Sequence, residues 1–369
     1  MTNSAHDSSD SLFTPSWRQA FRRRLMAWYG RHARDLPWRR SRDPYRIWVS
    51  EIMLQQTQVA TVAPYFERFV AAFPTVAQLA AADEQQVLRL WEGLGYYRRA
   101  RQLHRAAGVI VAEHDGAFPS DPAAVRDLPG IGRYTAGAIL SIAFDAREPI
   151  LEANTVRLFS RLLAYDGDPA TAAGRERLWR AAAEVLPRRA TGLFNQALME
   201  LGGSVCTPRR PRCDACPAAM LCAAHAQNRQ EEIPRPSRKL KFEAVQEAAI
   251  VVERRGRVLL RQCAPGERWS GLWDFPRFAV ANLDDQPFAD QMRDGVHQLT
   301  GVMVDPREQI ATLRHGVTRF RITLECHRAR YRTGFRPRPD LQWAKPSDLD
   351  AVPLSTTGRK LSRLLVDEA

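Results

Sequence analysis

The stretch Leu128-Pro129-Gly130-Ile131-Gly132 joins two segments with helical patterns, and the second segment begins near Arg133. Gly130 and Gly132 allow the backbone to turn tightly and to approach a partner closely. Free N–H groups at the start of the following helix can then point at a phosphate. The stretch therefore predicts a helix-hairpin-helix that grips a nucleic-acid backbone without reading its sequence. Taken alone, the same turn also fits an ordinary connection between helices.

Four cysteines follow the hairpin in a loop over residues 206–222. They are Cys206, Cys213, Cys216 and Cys222. Four thiolates so close in sequence can wrap one metal centre, and such ligation suits both Zn²⁺ and a [4Fe–4S] cluster. Since the polar N-terminus has no secretion signal, clustered cysteines favour a metal over disulfides.

The composition fits a soluble protein of two domains with a polyanionic partner. The chain has 369 residues, of which 45% are hydrophobic and 26% are charged, and its formal net charge is +13. Excess positive charge favours binding to phosphates. No apolar run reaches the roughly 20 residues of a membrane span, so we expect no membrane partner and an intracellular protein, cytoplasmic if bacterial. Residues 1–13 are expected to be a disordered tail.

Two different patterns divide the chain. Thr14-Pro15 can cap and start a helix, and helical spacing continues to about residue 205, which predicts an all-α domain over residues 14–225. Basic residues and prolines over residues 226–244 predict an extended linker. The hairpin signal Arg254-Arg255-Gly256, a helical stripe from Phe288 and alternation after Phe320 predict an α+β domain over residues 245–369.

Residues 48–59, which read Trp-Val-Ser-Glu-Ile-Met-Leu-Gln-Gln-Thr-Gln-Val, resemble the signature of MutY-type adenine DNA glycosylases nearly residue for residue. Residues 36–39 and 93–97 resemble the same family. The cysteine spacing matches the cluster loop of the wider endonuclease III superfamily. The resemblance covers essentially the whole chain and is weaker after the linker.

This resemblance implies a helix-hairpin-helix glycosylase domain with a [4Fe–4S] cluster, followed by a Nudix-like domain. It implies a monomeric base-excision repair enzyme that hydrolyses the N-glycosidic bond of adenine opposite 8-oxoguanine or guanine in duplex DNA. The cluster is expected to be structural, because ligation closes a loop with little core of its own. Zinc remains the alternative occupant.

Glu51 is the predicted general acid. Adenine is a poor leaving group until its N7 is protonated, and a carboxylic acid can do this only if a dry pocket raises its pKa. Glu51 lies among apolar residues that could form such a pocket, including Ile47 and Leu54. The resemblance assigns the same role to Glu51.

Glu152 is the predicted second carboxylate, which would steady the positive charge left on the sugar. The family has Asp at this position, so the chain departs from the pattern by one methylene. Asn154 and Tyr134 match positions that hydrogen-bond around this carboxylate and the sugar. Enzymes that also cut the backbone carry lysine where this chain has Tyr134, so a monofunctional enzyme is implied.

Further positions are implied by base flipping, since a stacked base cannot be reached. Gln56 and Tyr96 match positions that wedge into the stack, and Trp38 and Arg39 match the adenine pocket. Tyr96 is equally suited to a core position.

The second domain resembles a Nudix fold that has lost its metal-binding glutamates. Gly295, Gln298 and Leu299 occupy the positions where glutamates belong, so nucleotide hydrolysis is not expected. Thr318 and Arg319 fall on the turn that contacts 8-oxoguanine in the family. A hydroxyl at Thr318 could meet the lesion's N7–H, and Arg319 could meet phosphate.

Two other functions remain open on sequence alone. One is a glycosylase-lyase for oxidised pyrimidines, against which Tyr134 and the added domain argue. The other is a non-catalytic DNA-binding or redox-sensing module, which Glu152 in place of Asp leaves possible.

Overall fold

The computed structural model describes residues 11–235, 242–281 and 286–367. The chain forms two compact units: Met1–Ala81 with Gln102–Lys239, and Ala82–Arg101 with Leu240–Ala369. Residues 82–101 thus group with the second unit, although they lie within the range predicted for the first domain. The predicted domain limits at residues 225 and 245 remain predictions.

The chain up to the cysteine loop is helical throughout the described residues, as predicted. Its α-helices are α1 (Pro15–His32), α2 (Pro44–Leu54), α3 (Val59–Ala72), α4 (Val76–Ala81), α5 (Glu84–Trp91), α6 (Arg98–Glu113), α7 (Pro122–Asp127), α8 (Arg133–Phe144), α9 (Ala153–Leu162), α10 (Ala172–Val185) and α11 (Thr191–Ser204), with α12 (Ala223–Ala226) after the loop.

Helix α1 starts as its sequence dictates. The Thr14 hydroxyl accepts a hydrogen bond from the Trp17 amide at 3.2 Å, and Pro15 occupies the first turn. Phe21 and Leu25 are fully buried on the inner face of the helix. These side chains pack with buried residues of α8 and α11 to form the core of the first unit.

Helix α8 is central because its small residues allow close approach. A Cβ added to Gly137 would lie 2.3 Å from the carbonyl oxygen of Pro149. A Cβ on Gly192 of α11 would lie 2.3 Å from the carbonyl oxygen of Ser141 in α8. These contacts fix α8, which carries Tyr134, against its neighbours.

The predicted disordered tail is wrong for its last three residues. Glu184 accepts hydrogen bonds from the amides of Leu12 (3.0 Å) and Phe13 (3.3 Å), and Phe13 is buried beneath the first helix. An apolar side chain packed into the core orders residues 11–13. Residues 1–10 of the predicted tail lie outside the described residues.

Part of the predicted linker packs on the first unit. Ile233 is buried, and its carbonyl oxygen accepts from Arg161 Nε at 2.8 Å. Residues 236–241 of the linker lie outside the described residues.

The second unit contains a mixed sheet with a helix on each face, and the α+β prediction is confirmed. The sheet order is β3-β2-β1-β6-β5, while β4 pairs with β1 and β7 with β2. Its elements are β1 (Glu243–Arg254), β2 (Arg257–Gln262), β3 (Trp273–Asp274), β4 (Arg277–Ala279), α13 (Phe288–Thr300), β5 (Met303–Val317), β6 (Phe320–Thr333), β7 (Leu341–Ala344) and α14 (Thr356–Asp367).

The predicted hairpin, helix and strand of this unit are all present. Arg255 and Gly256 adopt φ values of 50° and 72° between β1 and β2, which suits a tight hairpin turn. Strands β1 and β6 run parallel, side by side. Among the described residues, no helix combines the length and apolarity needed to span a membrane.

Candidate active site

The hairpin before α8 leaves a helix N-terminus open. Gly130 has φ +80°, and a Cβ there would lie 2.7 Å from Gln102 Cβ, so a glycine is required. Gly132 has φ −95°, which any residue adopts, so the turn itself does not require glycine there, and its role in close approach to a partner stays a prediction. Gly132 instead caps α8 without a side-chain hydrogen bond, and nothing lies within 4 Å of an added Cβ. The first N–H groups of α8 are accessible to an anion.

Glu51 lies on the buried face of α2, whose start is fixed by the Asp43 cap and Pro44. Its side chain is 4% exposed, and the Tyr134 hydroxyl donates a hydrogen bond to Glu51 Oε2 at 2.7 Å. Burial raises the pKa of Glu51 to about 7, although the Tyr134 hydrogen bond lowers it. A substantial fraction of Glu51 is therefore still protonated near neutral pH, so the carboxyl can act as an acid.

Glu152 caps helix α9. Its Oε2 accepts from the Asn154 amide at 2.8 Å, and its Oε1 accepts from the Thr155 amide at 2.9 Å. The Asn154 side-chain amide donates a further bond to Oε2 at 3.1 Å. Burial raises the pKa of Glu152, and these hydrogen bonds oppose the rise. The longer glutamate thus satisfies a capping position that usually holds Asp, Asn, Ser or Thr.

Both carboxyl groups line the same cavity, of about 170 Å³. Tyr134, Asn154, Trp38 and Arg39 also line it, so the structure brings together six of the residues predicted from sequence. The negative charge of Glu152 contributes to the raised pKa of Glu51. Two carboxyls with different surroundings can divide the acid and the charge-stabilising roles between them.

Two family models match the chain. The model "HhH-GPD superfamily base excision DNA repair protein" matches residues 49–184, and the model "NUDIX domain" matches residues 247–364. An adenine DNA glycosylase of Buchnera aphidicola (subspecies Acyrthosiphon pisum) is 35% identical over 259 residues, which cover 70% of this chain and 74% of that protein.

The chain belongs to the adenine DNA glycosylase family.

The adenine DNA glycosylase of Mus musculus is 40% identical over 270 residues, covering 70% of this chain and 52% of that protein. The chain spans about half the length of the curated mammalian relatives it matches. The solved structure of a thermostable thymine-DNA glycosylase aligns with a TM-score of 0.53 at 28% identity, covering 57% of this chain and 98% of that one.

In this member of the adenine DNA glycosylase family, several cavity residues escaped the sequence analysis. Glu200 is 1% exposed and pairs with two arginines that line the cavity: it accepts a hydrogen bond from Arg34 Nε at 2.5 Å, and its Oε2 lies 2.7 Å from Arg39 Nη1 in an ion pair. Gln196 and Met199 line the cavity themselves. Positions 196, 199, 200 and 203 share one face of α11, and that spacing was the available signal.

The four cysteines line a second cavity in the first unit, of about 20 Å³. Arg161 Nη1 donates to Cys206 Sγ at 3.3 Å, and burial raises the pKa of Cys216 to about 12. No group of three or more His, Cys, Asp or Glu residues in the described ranges is spaced to hold a single metal ion. Convergence of four thiols on one space, beside an arginine, fits the donor set of an iron–sulfur cluster.

A hydrogen-bonded path joins this loop to the capping carboxylate. Arg157 Nε donates to the Cys206 carbonyl oxygen at 2.7 Å, and its Nη2 donates to Asn154 Oδ1 at 2.9 Å. Asn154 in turn holds Glu152. The start of the cysteine loop thereby supports the residues around Glu152.

The remaining predicted residues lie elsewhere. Gln56 is exposed at φ +59° and does not line the 170 Å³ cavity. Tyr96 and Thr318 line a cavity of about 750 Å³ in the second unit. Arg319 does not line that cavity and instead has its Nε 3.7 Å from Glu243 Oε2. In α13, a Cβ on Gly295 would lie 2.5 Å from the Phe278 ring, so the packing excludes a glutamate there.

Proposed function

We propose that this chain is a monofunctional adenine DNA glycosylase, which hydrolyses the N-glycosidic bond of adenine opposite 8-oxoguanine or guanine in duplex DNA. The observation that carries the proposal is a buried carboxyl, Glu51, whose pKa is raised to about 7 and which lines one cavity with a second carboxyl, Glu152. The family relatives in Buchnera and mouse support adenine as the base.

Glu51 delivers the proton. The target nucleotide is flipped out of the duplex into the cavity, where the Glu51 carboxyl transfers its proton to adenine N7. The C1′–N9 bond then breaks, and its electron pair leaves with the neutral base. Tyr134 holds the Glu51 carboxyl in place and stabilises the carboxylate formed when the proton leaves, because its hydroxyl donates to Oε2.

Glu152 steadies the sugar cation. Two backbone amides at the start of α9 and the Asn154 side chain donate hydrogen bonds to its carboxylate and hold it in one orientation. A water molecule adds to C1′, and the proton that it loses restores the Glu51 carboxyl. Because Tyr134 stands where the lyases carry lysine, no Schiff base forms and the DNA backbone stays intact.

The anchor on DNA is the open N-terminus of α8. Its N–H groups, exposed by Gly132, bind a backbone phosphate without sequence preference. In the second unit, Thr318 lines the 750 Å³ cavity; its hydroxyl donates to the Val317 carbonyl oxygen at 2.7 Å, and its oxygen would accept from the base opposite the adenine. Arg319, which pairs with Glu243 at 3.7 Å, would meet a backbone phosphate.

Cys206, Cys213, Cys216 and Cys222 would hold a [4Fe–4S] cluster, which closes the loop after α11 and supplies no chemistry to the reaction. A cationic centre would stabilise the four thiols as thiolates despite their burial. Iron analysis and visible absorbance of the purified protein test this assignment, and zinc without iron would overturn it.

Single-turnover assays on a panel of duplexes test the function. The parent chain should release adenine from adenine:8-oxoguanine and adenine:guanine duplexes, and leave thymine:guanine duplexes intact. Glu51→Gln should bind the same duplex and release no adenine, while Glu113→Gln, an exposed helical control, should match the parent. Adenine release by Glu51→Gln at the parent rate would overturn the proposal, as would protein trapped on DNA by borohydride.

A further inference from the structure

Residues 82–101 are built into the second unit, although the base-excision family model spans them. Helix α5 faces the segment around Gly271. The Gln85 side-chain amide donates to the Gly271 carbonyl oxygen at 3.1 Å, and Arg101 donates to the Ser270 carbonyl oxygen. A Cβ on Gly271, which has φ +82°, would lie 2.9 Å from Arg101 Nη1. The positive φ of Gly271 favours glycine there, whereas the end of the Arg101 side chain could move aside.

A buried ion pair fastens the end of α5. Arg359 Nε donates to Glu92 Oε1 at 2.6 Å, and Arg359 Nη2 donates to Glu92 Oε2 at 3.0 Å. The two side chains are only 8% and 7% exposed. The Leu354 amide adds a bond to Glu92 Oε2 at 3.2 Å. Arg359 also donates to the carbonyl oxygens of Leu349 (2.8 Å) and Val352 (2.6 Å). The bidentate pair therefore has a fixed geometry.

The loop that follows Glu92, residues 93–97, is held by hydrogen bonds from the residues on either side of it. Trp91 Nε1 donates to the Gly95 carbonyl oxygen at 3.1 Å, and Arg99 Nη2 donates to the carbonyl oxygens of Leu94 and Gly95 at 3.2 Å each. Tyr96 adopts φ +49° and is 49% exposed, with its ring 5.5 Å from the Arg99 guanidinium. The loop thus presents an aromatic ring on a strained backbone, and its first attachment point is Glu92.

Tyr96 and α14 border the same cavity. The 750 Å³ cavity is lined by Tyr96 from the loop, by Thr318 from the β5–β6 turn, and by Thr356 and Lys360 from α14. Arg359 lies next to Lys360, but its own side chain turns away to Glu92. One residue of α14 therefore fixes the loop while its neighbour lines the cavity.

We propose that Arg359 is a positioning residue for Tyr96. By holding Glu92 just before loop 93–97, Arg359 sets the position of Tyr96 in the cavity. The position of Tyr96 in turn sets how strongly the protein prefers 8-oxoguanine to guanine opposite the adenine. This inference rests on the proposed function. Arg359 acts through Glu92 and the loop, and is not proposed to contact DNA.

Hydrogen exchange tests the positioning without any activity. In Arg359→Gln, amides of residues 93–97 should exchange at least tenfold faster than in the parent. Arg363→Gln, an exposed position one turn further along α14, should leave them unchanged. Unaltered exchange of the loop in a folded Arg359→Gln variant would overturn the proposal, whether or not the chain releases adenine.

Discrimination is tested by comparing duplexes. Arg359→Gln should lower the binding preference for adenine:8-oxoguanine duplexes over adenine:guanine duplexes by about tenfold. The rate of adenine release from the saturated complex should stay within about twofold of the parent. Tyr96→Ala should cause the same loss, and the double variant should lose no more, since both act through one residue. A double variant whose loss of preference equals the product of the two single losses would overturn the proposal.

Removing one partner of a buried ion pair can unfold a protein. A variant that lacks both partners therefore serves as a second test. Arg359→Met with Glu92→Met removes both charges at once and leaves neither unpaired. It should fold, and it should show the same fast loop exchange and the same reduced preference. A paired variant with parent-like exchange and preference would overturn the proposal.

Discussion

Glu51→Gln should stabilise the folded chain above neutral pH, because the buried carboxyl is costly to ionise. Burial raises the pKa of Glu51 from 4.5 to about 7. At 1.36 kcal/mol per pH unit, the difference amounts to about 3 kcal/mol of unfolding free energy. The amide keeps the shape of the side chain and still accepts from Tyr134, so it avoids this cost without opening a cavity.

The sign of the effect depends on pH. Between about pH 4.5 and 7 the folded chain holds the Glu51 proton while the unfolded chain has lost it. The contribution of Glu51 to the stability of the parent is therefore greatest below about pH 4.5 and is lost as pH rises through about 7. The advantage of Glu51→Gln should be absent near pH 4, grow between about 4.5 and 7, and stay constant above.

Hydrogen exchange of the peptide that spans α2, followed across a urea series, measures unfolding of the first unit separately from the second. Parent, Glu51→Gln and the exposed control Glu113→Gln would be compared at about pH 4, 6 and 8. An advantage that is equal at every pH, or a loss of stability at pH 8, would refute the burial argument.

Three further predictions follow from individual contacts. Gly130→Ala should cost about 1–3 kcal/mol of stability, since it strains a positive φ and places Cβ 2.7 Å from Gln102 Cβ; an unchanged melting temperature would contradict this. Glu200→Gln should cost about 2 kcal/mol, because it weakens charged hydrogen bonds to a buried carboxylate; urea unfolding measures the loss, and equal midpoints would count against it. Cys222→Ser should lose iron and visible absorbance, whereas Cys263→Ser, which lines a different cavity, should keep both.

Local signals predicted much of the fold correctly. The Thr14-Pro15 start of α1 and the Arg255-Gly256 turn each depend on neighbouring residues only, so their spacing was enough. Residues 11–13 were mispredicted because Leu12 and Phe13 are ordered by Glu184, more than 170 positions away. A polar N-terminal composition gave no sign of that partner.

The candidate site likewise contains residues that local motifs predicted and residues that only the tertiary structure brings together. Glu51, Tyr134 and Glu152 stood in recognisable motifs, and the structure brings them to one cavity. Glu200 and its partner Arg34 are 166 positions apart, and Glu92 and Arg359 are 267 apart. Such pairs form by tertiary packing between distant segments; spacing along one helix can indicate a shared face, but it does not identify the distant partner.

The pH dependence of adenine release at limiting enzyme tests the central claim most directly, because it reports the acid of the free protein. The rate constant should fall tenfold per pH unit above about 7, where Glu51 loses its proton, and should fall again at acidic pH, where Glu152 takes up a proton. Tyr134→Phe removes a hydrogen bond that stabilises the carboxylate, so the fall with rising pH should move up by about one pH unit. A fall with rising pH that begins near 4.5, or that moves to lower pH in Tyr134→Phe, would contradict Glu51 as the buried acid.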